Sequence, residues 1–65
     1  MIKLKDLRVG AVVVAHTHVH GDEVCDVMEI DTRLKAWGKI TVKVDPRGRQ
    51  IPYWVDRSKL TVYQD

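Results

Sequence analysis

The stretch that decides the fold is Val12-Val13-Val14-Ala15-His16-Thr17-His18-Val19-His20-Gly21-Asp22-Glu23-Val24-Cys25-Asp26-Val27-Met28-Glu29-Ile30. Two β-branched runs flank one glycine-aspartate step, and glycine leading a two-residue turn is the mark of a type II′ hairpin. With Gly21-Asp22 as that turn, Val19 pairs with Val24, Ala15 with Met28 and Val13 with Ile30, all on one face. The other face then pairs His20 with Glu23, His18 with Cys25, His16 with Val27 and Val14 with Glu29. A slip of one residue would mix the two sets, so the pattern specifies a register.

Working outward, Ile40, Val42 and Val44 alternate with Thr41, Lys43 and Asp45, which predicts a third strand. Ile51, Tyr53 and Val55 alternate with Pro52, Trp54 and Asp56, which predicts a fourth with Trp54 on the outside. Pro52 lacks a backbone donor, so that strand is an edge or starts irregularly. Asp56 is placed to cap a single 3₁₀ turn over Arg57-Ser58-Lys59. Residues 60–63 close the chain as a fifth strand. No segment carries an i, i+3, i+4, i+7 apolar pattern over three turns, so no long helix is expected.

Composition agrees. Eleven valines, four isoleucines and four threonines make nineteen of 65 residues β-branched, a class suited to a pleated, half-buried surface. A chain of this length forms one domain, residues 1–65, and buries only about 60% of its unfolded surface. Enzyme pockets run to roughly 300–1,000 Å³, and so small a core walls one off poorly. The expectation is a non-enzymatic binding module. The longest apolar run, residues 11–15, is far too short to span a membrane as a helix. The start of the chain has no signal-peptide apolar region, and one cysteine cannot staple the fold. Both point to a reducing, cytoplasmic setting, and the small size suits a bacterial or phage reading frame.

The order of elements resembles the SH3-like small barrel of Tudor, KOW and related modules. The likeness rests on Leu7-Arg8-Val9-Gly10 leading into Ala11-Val12-Val13-Val14, a long bent hairpin, two more strands, and a tight turn before a short last strand. It implies a five-stranded all-β barrel and a binding role, without a particular family. Four aromatic residues are few for the cage of a methyl-lysine-reading Tudor domain, and no clear KOW-type loop is present.

Charge is segregated along the chain. Residues 22–31 hold Asp22, Glu23, Asp26, Glu29 and Asp31 and no base; residues 32–59 hold Arg33, Lys35, Lys39, Lys43, Arg47, Arg49, Arg57 and Lys59 against Asp45 and Asp56. Such asymmetry predicts a dipolar surface that steers a charged partner. The first reading is nucleic acid, with Lys43, Arg47, Arg49 and Arg57 on phosphates and Trp54, or Trp37, stacking on a base. The second is a protein–protein adaptor or small inhibitor acting on a cellular or host protein through the dipolar surface or an edge strand, self-association included. The bland alternative is that the bases solvate an outer face while the tryptophans complete the core.

His16-Thr17-His18-Val19-His20 sets three imidazoles on one strand face, successive Cα atoms about 6.6–7 Å apart. The expected register adds Glu23 and Cys25, so His18, His20, Glu23 and Cys25 together offer zinc all its usual ligand types. The string also resembles the HxH and HxHxD ligand motifs of metallohydrolases, which need a larger scaffold for their remaining ligands. Against a zinc site stand an exposed polar face and a pH-responsive cluster. No cofactor is otherwise called for. Cys25 has no basic neighbour to activate it, and Ser58, the only serine, lacks a sequence-level base and suits a turn.

Overall fold

The computed structural model describes residues 1–48 and 51–64. Five strands, β1 (Val12–Thr17), β2 (Gly21–Asp31), β3 (Thr41–Pro46), β4 (Tyr53–Asp56) and β5 (Leu60–Val62), form one antiparallel sheet in the order β4-β3-β2-β1-β5. The helical segments among the described residues are 3₁₀ turns at Leu4–Asp6, Lys35–Trp37 and Arg57–Lys59. Among the described residues no helix is long and apolar enough to cross a membrane. The sheet is open, with β4 and β5 as its edges.

The hairpin forms where expected but in a different register. Val13 pairs with Cys25, Val14 with Val24, Ala15 with Glu23 and His16 with Asp22. The chain turns through residues 18–20, and the His20 N–H donates to Thr17 Oγ1 at 3.0 Å. Gly21 re-enters the sheet at φ +70°, a left-handed conformation that favours glycine. Gly21 therefore ends the reversal instead of starting it, and every expected pair shifts by five positions. An odd shift exchanges the faces of β2 relative to β1. Cys25 and Val27, expected outside, are 0% and 2% exposed, while Met28, expected opposite Ala15, is 41% exposed.

A second irregularity completes the core. Val27 faces Val44, but the next pair is Glu29 with Lys43, so Met28 is an extra residue at a β-bulge. A bulge inserts one residue and resets alternation beyond it. Ile30 thereby returns to the inner face opposite Val42, where it packs against the core. The inward set of β2 is Cys25, Val27 and Ile30, with spacing two and then three.

The remaining strands follow the expected alternation closely. Val42 and Val44 are fully buried and Val55 nearly so, while Trp54 is half-exposed. Ile51 departs from its expected inward place: it precedes β4 and is exposed. The 3₁₀ turn before β5 is capped as predicted, with Asp56 Oδ1 accepting the Ser58 N–H at 2.9 Å. Leu60 is fully buried opposite Ala15. The N-terminal segment closes over this end, burying Ile2 and Leu7, and the Ile2 N–H donates to the Leu60 carbonyl at 2.9 Å.

Candidate binding face

The face of β2, β3 and β4 turned away from the core carries two cross-strand rows. Glu29, Lys43 and Trp54 stand opposite one another in one; Asp31, Thr41 and Asp56 form the next. Alternation puts these residues outside because Val42, Val44 and Val55 occupy the inner positions.

Acids on β2 are matched by bases that the fold brings to them. Lys43 Nζ lies 3.6 Å from Glu29. Arg47 donates to both oxygens of Asp26, at 3.1 and 3.3 Å. Arg33 grips Asp31 through Nε and Nη2, the shortest contact being 2.7 Å, and its backbone N–H adds a further bond to Oδ1. Those Arg33 hydrogen bonds hold the Asp31 carboxyl down at about 2. His16 Nδ1 lies 2.9 Å from Asp22, and its Nε2 lies 2.9 Å from Thr61 Oγ1 on β5. The fifth acid, Glu23, accepts from the Tyr53 hydroxyl at 2.9 Å. Part of the segregation seen along the sequence thus becomes neighbouring pairs, with Arg33, Lys43 and Arg47 each set against an acid of β2.

This pairing changes the standing of the expected phosphate-binding set. Lys43 and Arg47 already hold carboxylates. Arg57 donates from Nε to the Ile2 carbonyl at 2.9 Å, tying the N-terminal segment down. Arg49 lies outside the described residues. Trp54 remains as an exposed aromatic on the outer face.

The proposed zinc ligands are placed differently from expectation. His18 is exposed in the turn, and Cys25 faces Val13 in the core instead of His18. His20 stacks on Tyr53 with ring centroids 4.3 Å apart. The Cys25 thiol donates to the Glu23 carbonyl at 3.5 Å, and burial pushes it above the ordinary thiol range. Desolvation, reinforced by the bond to Glu23, likewise raises the Tyr53 phenol. Among the described residues no three His, Cys, Asp or Glu side chains are grouped to hold a metal ion. Register is the reason: the turn at residues 18–20 takes His18 out of the strand, and the odd shift turns Cys25 inward.

Two shallow grooves, each of about 400 Å³, run along the end of this face. One is lined by Asp31, Arg33, Leu34, Lys39 and Thr41. The other reaches Trp54 past Glu29, Ile30 and Thr32, and the two share the Asp31–Arg33 pair as a wall. The segment between β2 and β3 reads Arg33-Leu34-Lys35-Ala36-Trp37-Gly38-Lys39. Gly38 stops its 3₁₀ turn at φ +75°. Leu34 is 50% exposed and Trp37 85%, so neither tryptophan completes the core. Leu34 and Lys39 were not singled out as binding residues from sequence. The available signal was a loop that alternates bases with large apolar side chains.

Comparison with known proteins adds no relative: no family model, curated protein or solved structure matches this chain.

Proposed function

We propose that the chain is a non-enzymatic, SH3-like binding module that takes a protein segment on the outer face of β2, β3 and β4. The strand order β4-β3-β2-β1-β5, the long bulged β2 shared by β1 and β3, and the capped 3₁₀ turn before β5 support the SH3-like reading. The observation that carries the functional reading is Trp54, half-exposed on the outer face beside the Lys43–Glu29 pair and bordering a groove. Tryptophan with flanking arginine is the typical anchor of a protein interface.

Nucleic acid is the second reading, and Lys35 and Lys39 beside Trp37 favour it. Glu29, Asp31 and Asp56 lie on the same face, however, and a phosphodiester strand brings a charge with every nucleotide. The tagged chain and its Trp54→Ala variant, drawn through cell extract with and without nuclease, test the choice. A protein that survives nuclease and is lost with Trp54→Ala is the expected result. Material that disappears on nuclease treatment, or a retained protein indifferent to Trp54, refutes the reading.

A further inference from the structure

Charge on the outer face does not cancel evenly. On the strands, Glu29 is held by Lys43 and Asp26 by Arg47. In the groove beside Leu34, Asp31 is saturated by three donors of one arginine. Arg33 still offers its Nη1 edge, and its side chain is 87% exposed. Lys39 forms no ion pair among the described residues. Its charge is felt by Asp56, whose carboxyl is already drawn to the Ser58 N–H. The groove thus holds a lysine outside any ion pair among the described residues, an arginine fork fixed by its carboxylate, and the exposed side chain of Leu34.

Resting on the protein-binding reading above, we infer that the occupant of this groove is an extended acidic segment of a partner protein. It sets a carboxylate against Lys39 and the free edge of Arg33, and a neighbouring apolar side chain against Leu34. Complementarity of charge carries the choice. An arginine whose plane is fixed by Asp31 presents its remaining donors in a set direction, which suits a carboxylate's two oxygens. Fixing it in advance removes part of the ordering cost of binding. A peptide also places acidic groups only where its own sequence puts them, so one carboxylate reaches Lys39 while uncharged residues pass Glu29 and Asp31.

The test uses the full chain panned against a displayed random dodecapeptide library. Enriched peptides are resynthesised with fluorophore, in acidic form and with each Asp or Glu replaced by Asn or Gln. Binding is read by fluorescence polarisation against the parent, Lys39→Glu, Leu34→Ala and Trp54→Ala. Leu34, Lys39 and Trp54 are exposed, and the melting temperature of each variant confirms folding. Expected are peptides combining Asp or Glu with a large apolar residue. Affinity should fall about tenfold or more for Lys39→Glu, and similarly when the acids are neutralised. Peptides that depend on Trp54 but lack acids, or bind Lys39→Glu as well as parent, overturn the acidic occupant and leave the protein-binding reading standing. Failure of any peptide to enrich on the parent over Trp54→Ala overturns both, as does binding of an oligothymidylate probe where no peptide binds.

Discussion

Val27 and Met28 are adjacent and point to opposite faces, and the hairpin register decides which of them is buried, so replacing each by alanine tests the register directly. Val27 is 2% exposed within the core, and Val27→Ala removes two buried methyl groups. At about 0.8 kcal/mol for each buried carbon, plus a cavity contribution, the loss is roughly 2–3 kcal/mol. A chain of this length has a total stability of roughly 3–10 kcal/mol, so the change removes a large share. Thermal unfolding should shift down by about 8–24 °C, at roughly 4–8 °C per kcal/mol for a small domain. Met28→Ala deletes a larger side chain, yet it stands at the bulge and is 41% exposed, so its cost stays below about 1 kcal/mol. Val24→Ala, a half-buried valine on the same strand, controls for the lower strand preference of alanine. Urea and thermal denaturation of the four proteins give the comparison. A larger loss for Met28→Ala than for Val27→Ala would restore the two-residue turn at Gly21-Asp22 and refute the register.

Asp31 should titrate near 2 when its carboxyl carbon is followed by NMR, and Arg33→Met should return it toward the ordinary 3.8. Because the folded value is depressed, the ion pair's contribution is complete above about pH 4 and disappears as pH falls through 2; an unshifted titration in the parent would contradict the bidentate contact. Cys25 should react with a thiol reagent far more slowly in the native protein than in urea, since burial both blocks it and raises its pKa. Equal rates in the two conditions would place Cys25 on the surface.

The strands β3, β4 and β5 and the Asp56 cap were legible because each rests on local information. Alternation of Val42 and Val44 with charged neighbours fixes a face, and an aspartate two residues before Ser58 fixes a cap. The hairpin register was not legible, because Gly21 is compatible with a positive φ at either end of a reversal. The tie is broken by burial of Cys25 and Val27, which depends on strands far along the chain. The bulge was hidden for a related reason. A change of spacing from two to three within Cys25, Val27 and Ile30 reads as noise until β3 is laid beside it. Of the site, Trp54 was placed on the outer face by parity alone. The groove at Leu34 and Lys39 was not, since it is made by folding the segment between β2 and β3 back over Asp31 and Thr41.

The charge pattern has a structural consequence that also bears on function. β2, the acidic strand, lies at the centre of the sheet, so its side chains need bases from both neighbours and from the following loops. Opposite charges across strands are favourable and like charges directly opposite are not. In the observed register Glu29 faces Lys43, whereas Asp26 faces Asp45. Arg47 resolves that conflict by gripping both oxygens of Asp26. Arg47 is therefore engaged in holding β2 against β3, and using it to bind a phosphate would expose two facing carboxylates. The same reasoning sorts the other bases. Lys43 and Arg57 serve the sheet and the N-terminal segment, while Lys35, Lys39 and Lys59 form no ion pair among the described residues. Some charges of the basic half are thus engaged in holding the sheet and the N-terminal segment together, and these are poorly placed to act on another molecule.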